Sequence, residues 1–402
     1  MGERSWLGVD GVRVSTSIVV SIAVLGTAFL MATQASAIPA FARKEGQDCG
    51  FCHTAYPKLN EAGRGYKQNG FRFPGELGNN IWEETSGVPL SAVAEIEAFL
   101  DHTRPARGKT ETSGPDGKID EIEIMGAGTL SNRASFFTAI GYDEDAVADL
   151  GPVWVQVNDL YGPQGAANLQ IGQFDAGLPF FSQKRRVIRN QYLASDMMGF
   201  LDTEFGAQVN GQIFNDPDEG GGVVHRYGTG VLRGGTNDGD NQFTKGTGWY
   251  NFNWNEVNNL GVIAIGGQDA TAGNNFKTAG IGAVAQTEHG PWTFTGAYFF
   301  EYQGFDRNST VGGNQQLHNF MGEVLYMPGE SWVVGGRLDW LLETERRRGK
   351  DWGLRASVLA RYNVVSNVWL GAEYRIEDGG TGSPVTDADT TQNARLFAFF
   401  AY

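Results

Sequence analysis

The alternation near the end of the chain limits the fold more than any other feature. In Trp352–Asn363 one face carries Trp352, Leu354, Ala356, Val358, Ala360 and Tyr362. The other carries Gly353, Arg355, Ser357, Arg361 and Asn363, with Leu359 out of place. Ser366-Asn367 reads as a tight turn, after which Val368, Leu370, Ala372, Tyr374 and Ile376 alternate with Glu373, Arg375 and Glu377. A period of two marks a strand whose faces meet different surroundings. Segments of this texture, roughly ten residues long, recur from Pro89 onward with turn residues between them.

A soluble sheet would set such faces against a core and water, a membrane barrel against lipid and a lumen. Connection lengths favour the barrel. Short turns fall near Leu130-Ser131-Asn132, Gly162-Pro163, Asp216-Pro217, Asn255-Glu256, His289-Gly290, Pro328-Gly329 and Ser366-Asn367. Longer polar loops lie between them at His102–Lys118, Asp175–Asp202, Gly304–Leu317 and Asp378–Thr391. Short and long connections in alternation are expected of periplasmic turns and external loops. The segments number about sixteen, and an even count leaves both ends periplasmic. Asn393–Tyr402 ends on an aromatic residue with Leu396, Ala398 and Phe400 on one face. It resembles the C-terminal strand read by the outer-membrane barrel assembly machinery. The expected fold is all-β, a transmembrane outer-membrane β-barrel of about 16 antiparallel strands over residues 89–402, behind a small N-terminal plug. A soluble periplasmic β-sandwich or propeller is the alternative. In the barrel Leu370 faces lipid, whereas Glu373 faces the lumen and is expected to tolerate substitution.

Residues 1–37 read as an export signal. Arg4 and Arg13 precede an apolar run from Ile18 to Ala32, and Ala35-Ser36-Ala37 offers a cleavage site before Ile38. A retained membrane anchor is the other reading, although the run is short for a span. Beyond it no stretch is apolar enough for a transmembrane helix, so any crossing of a membrane falls to strands. The net charge of -15 argues against nucleic acid as a partner.

Only two cysteines occur, and both lie in Cys49-Gly50-Phe51-Cys52-His53. That spacing is the attachment signal for a c-type haem. The two thiols form thioethers to the haem vinyl groups, and the adjacent imidazole ligates the iron. A thioredoxin-like pair would want a βαβ context and a zinc site a second ligand pair; neither is present. Cys49, Cys52 and His53 are therefore the candidate cofactor-binding residues, with His53 as metal ligand and one covalent haem c as cofactor. The surrounding segment, residues 38–88, is too small for a core of its own. The haem or an enclosing wall is expected to serve as that core.

Pro39–Pro74, read as PAFARKEGQDCGFCHTAYPKLNEAGRGYKQNGFRFP, resembles the fused monohaem cytochrome–porin family. The matching positions are Phe41-Ala42-Arg43, the haem motif, Pro57, Leu59, Gly63-Arg64, Tyr66-Lys67, Gly70 and Phe71. Family members similar to it are outer-membrane iron(II) oxidases. Lys44-Glu45-Gly46 departs from their usual Gln-Thr-Gly-like run, so the resemblance carries the architecture further than the iron substrate. It implies electron transfer in the bacterial outer membrane, from an extracellular donor such as Fe(II) to a periplasmic cytochrome. The alternative is a porin-like solute channel whose haem-bearing plug is a stopper or sensor. Acidic loops at Asp143-Glu144-Asp145, Asp238-Gly239-Asp240 and Asp387-Ala388-Asp389 would gather cations, or would simply be solvated or bridge surface lipids through divalent ions.

The second axial ligand stays open, because Thr54–Pro89 contains neither His nor Met. His102 has parity away from the lumen, Met125 and Met321 point inward, and Met197 and Met198 lie in a loop long enough to fold inward. For each of these, packing is the default reading. The basic run Lys184-Arg185-Arg186 with Arg189 sits in that same loop, where it would line the pore, pair with haem propionates or simply be solvated, the last being its default.

Overall fold

The computed structural model describes residues 40–80, 90–104, 112–142, 148–198, 200–215, 222–234, 242–271, 274–305, 314–345, 349–365, 367–379 and 390–401. The export signal, the Asp216-Pro217 turn, Ser366, Tyr402 and the three acidic loops lie outside the described residues.

The N-terminal segment forms α1 (Ala40–Glu45), α2 (Cys49–Cys52), a two-stranded ladder β1 (His53–Ala55) and β2 (Lys58–Leu59), and α3 (Glu61–Gln68). Asn60 caps α3 by accepting from the Gly63 N–H at 3.0 Å, which satisfies a donor that a helix start leaves free. Sixteen strands follow. They are β3 (Leu90–Arg104), β4 (Thr112–Ser131), β5 (Ala134–Tyr142), β6 (Ala148–Val157), β7 (Asn168–Asp175) and β8 (Thr203–Asn215). Then come β9 (Val223–Gly234), β10 (Gln242–Trp254), β11 (Asn258–Thr271), β12 (Asn274–His289) and β13 (Trp292–Phe305). The last are β14 (Gln315–Tyr326), β15 (Trp332–Glu345), β16 (Gly349–Val365), β17 (Val368–Gly379) and β18 (Thr390–Ala401). Each pairs antiparallel with its neighbour, and β18 pairs with β3 to close the barrel, with Phe399 opposite Glu95. Closure leaves no strand edge exposed, as a bilayer requires.

The faces follow the alternation. Val358, Leu338 and Leu396 are more than half exposed on the outside, whereas Glu373 and Arg361 are buried inside. Rings gather on the outer wall beside the short turns. Trp292 lies 4.4 Å from Tyr326, and Trp332 lies 5.0 Å from Tyr362, the placement of an interfacial girdle. Leu359 is 2 % exposed because it packs with Ile188 of a loop inside the lumen. The connections need one correction. Strands run past the bilayer, so only 105–111, 306–314 and 380–389 separate the strands where longer loops are expected. Conversely, the turn around Gly162-Pro163 extends over 158–167.

Candidate functional site

Two insertions enter the lumen from opposite ends. From the short-turn end comes the N-terminal plug, residues 40–80. Phe71 stacks between Phe41, at 5.0 Å, and Trp154 of the wall, at 5.7 Å, with Phe137 alongside at 6.3 Å. The wall thus supplies the core that the segment lacks. Charge fixes its seat. Arg226, fully buried on β9, donates from Nη1 to Glu61 Oε2 at 3.1 Å and pairs through Nη2 with Glu61 Oε1. Arg72 Nη1 reaches Asp159 Oδ2 at 2.8 Å and the Asn132 carbonyl at 3.3 Å. Gln68 Nε2 donates to Asn210 Oδ1 at 2.8 Å.

From the far end comes the loop 176–202, which crosses to the opposite wall. It carries a 3₁₀ turn (Gln183–Arg185) and the short α4 (Leu193–Met197). Glu373 accepts from the backbone N–H of Arg189 at 2.8 Å and of Asn190 at 3.1 Å. Arg337 donates to the carbonyls of Asn190 at 2.6 Å and Gln191 at 2.9 Å, and Arg355 reaches Asp196 at 2.7 Å. Gly261 makes room for this loop, since a Cβ there would stand 2.6 Å from Leu178. Two expectations are corrected here. Glu373 does not merely face water, because it clasps the loop's backbone. Nor is the basic run simply solvated. Arg186 donates to the Arg189 carbonyl at 2.6 Å, and Arg189 pairs with Glu95 and, at 3.5 Å, with Asp120. Of the run, Lys184 alone is exposed.

Between plug, wall and loop lies a cavity of about 260 Å³. Cys49, Cys52 and His53 all open onto it, so the structure brings the three motif residues to one space. Asp48 caps α2 by accepting from Phe51 N–H at 3.1 Å, which winds the two thiols onto a single turn. Gly63 lets α3 press on that turn: a Cβ would lie 2.2 Å from the Cys52 carbonyl oxygen. Burial pushes the Cys52 thiol up to about 11, aided by Glu45 and Cys49. Burial pulls the His53 imidazole down to about 4, opposed by the backbone at Pro57 and Lys58. At neutral pH His53 is therefore uncharged, the form that binds a metal.

The remaining lining divides by chemistry. Tyr56, Phe41, Phe71, Phe73, Val93 and Phe137 are apolar or aromatic, Lys67, Lys184 and Arg185 bring positive charge, and Glu45, Asp48, Glu123 and Asp175 are acidic. Lys67 lies 5.4 Å from the Phe137 ring centroid, and burial lowers its amine to about 7, with Arg185 adding to the effect. An apolar slot with two thiols and a neutral imidazole fits a haem, whose faces are apolar, and the cations among its polar groups suit the two anionic propionates. Lys184 and Arg185 are the loop cations that sequence reasoning offered as partners for haem propionates, whereas it missed Lys67, whose place on the same cavity is a product of the tertiary fold. A second cluster, Glu95, Glu97 and Asp120, has carboxylate oxygens within 4.8 Å of one another. Lys118, Arg189 and Arg395 already pair with these carboxylates, which makes it an ion-pair network rather than a metal centre.

No protein-family model matches the chain, and no curated protein is detectably similar in sequence. Solved structures do share its fold. An anion-selective porin from Comamonas acidovorans has a TM-score of 0.55 at 10% identity, over 79% of this chain and 100% of that one. The outer membrane channel DcaP of Acinetobacter baumannii has a TM-score of 0.54 at 10% identity, over 81% and 100%. A loop-deleted OmpT, an outer membrane protein of Vibrio cholerae, has 0.50 at 9%, over 78% and 99%. At such identity the likeness concerns the fold alone. The chain has the closed sixteen-strand antiparallel fold that outer-membrane porins share, and its location is the bacterial outer membrane.

Proposed function

We propose that this barrel is an electron-transfer protein carrying one haem c, attached through Cys49 and Cys52 and ligated by His53. It takes electrons from an extracellular donor such as Fe(II) and delivers them to a periplasmic cytochrome. The observation that carries the reading is the lumen cavity on which both cysteines and the histidine converge. A haem held there would supply one-electron redox chemistry within a barrel that crosses an otherwise insulating membrane. The chain's residues do the rest. The buried His53 stays neutral for ligation. Lys67, Lys184 and Arg185 offer cations to carboxylates. Phe41, Phe71, Phe137 and Tyr56 exclude water. The plug and loop fill the lumen from both ends, which leaves little room for bulk solute flow.

The test is stopped-flow mixing of Fe(II) with the purified protein in proteoliposomes of known orientation. Reduction of the haem from the loop side, in step with Fe(II) consumption, supports the reading. Failure of Fe(II) and of other outer-face reductants, together with open-pore conductance, supports the second reading, a solute channel. The porin-like barrel is the observation that favours that alternative.

A further inference from the structure

His53 occupies one axial position of the proposed haem, and c-type sites differ in what fills the other. Five residues are candidates by type and parity, and the structure separates four of them. Met198 and Met321 are 3 % and 5 % exposed within the cluster that joins plug, inward loop and wall, and neither lines the cavity. His102 lies near the far end of β3, opposite Ser113 and Gln392. The Met197 side chain lies outside the described residues. Met125 alone of the other four lines the cavity that holds Cys49, Cys52 and His53.

Its position on β4 favours reach. The residues opposite it are Ser91 of β3 and Ala139 of β5, and both also line the cavity. Ala127 and Ala401 continue this small-residue wall. Val93, Glu123 and Phe137 line the cavity too, so the recess is local to the cross-strand neighbours of Met125, a long, unbranched and polarisable side chain with three free torsions. Met125 and Met327 both pack on the apolar cluster that holds Tyr56, whose ring lies 5.2 Å from that of His53, but of the two only Met125 lines the cavity. Lys67, one of the cations of the cavity, is engaged over Phe137 beside Arg185.

We propose that the Met125 thioether is the second axial ligand, so that the iron is held between a histidine of the plug and a methionine of the barrel wall. This rests on the haem reading above. A thioether is soft and neutral, and it favours the ferrous state, so it sets a higher potential than a second histidine would. Because the two ligands come from different parts of the fold, six-coordination requires the plug to be seated.

The experiment uses full-length protein in detergent. Haem staining on a denaturing gel comes first, and its absence in the wild type defeats the haem reading itself. With haem attached, the ferric wild type is expected to be low-spin and to show the weak far-red absorption of an iron–thioether bond. Met125→Ala and the volume-conserving Met125→Leu should both lose that band while keeping covalent stain and heat-modifiable mobility. Their reduction potentials should fall. Met125→His should restore a low-spin spectrum without the band. Absence of the band from the haem-loaded wild type, or its survival in both Met125→Ala and Met125→Leu, overturns the proposal.

Discussion

Glu373 shows how far a lumen residue departs from a surface one. Its carboxylate is 3 % exposed and accepts two backbone N–H groups from a loop more than 180 residues away in sequence. Alternation identifies the face but not the partner, so tolerance was the natural expectation and the structure reverses it. Glu373→Ala should free the loop 176–202, seen as a rise in single-channel conductance and new protease cleavage there. Leu370, 40 % exposed on the lipid side, behaves as its parity implies. Leu370→Arg should cost about 2–4 kcal/mol in a liposome refolding titration, less if the site lies near the interface. Gly63→Ala forces a Cβ toward the Cys52 carbonyl and should lower the haem-stained fraction while the barrel still folds. Residue by residue, the faces of β16 and β17 were legible, and even Leu359 finds its reason. What hid that reason was Ile188, which reaches it only through the tertiary fold.

At the level of elements, the plug and the inward loop are two bodies docked by buried charge. Removing one partner of such a contact is far costlier than the contact's net value, about 3–5 kcal/mol for a buried pair. Arg226→Ala should therefore unseat α3 and raise conductance while heat-modifiable mobility stays intact. Asp159 adds a pH dependence. Burial pushes its carboxyl up, but Arg72 and the Gly165 N–H outweigh that and leave it below its ordinary 3.8. A lowered carboxyl stabilises the folded contact above 3.8 and loses that contribution as pH falls through the depressed value. Conductance should rise in acid below that range, and Asp159→Asn should flatten the response. The long loop was legible from its length, and its inward path was one of the readings. The loop's partners on the wall were not, because Glu95, Asp120, Arg337 and Glu373 sit on strands far apart in sequence.

Across the whole molecule, the sixteen-strand closure was readable because lipid and lumen impose opposite chemistry on neighbouring side chains. The cavity was not, since it needs one wall from the plug, one from the barrel and one from the loop. The intact protein should fractionate with outer membranes and migrate faster on a gel when unheated. Protein lacking Ile38–Gly87 should conduct ions far better. The seam between β18 and β3 has a further consequence, which concerns time rather than space. Cys49 and Cys52 open into a chamber whose walls do not exist until Phe399 lies beside Glu95. No enzyme of ordinary size can follow them inside. Any group joined to those sulfurs has to be installed while the N-terminal segment is still loose in the periplasm. Closure of the seam is then a deadline, after which an empty chamber stays empty.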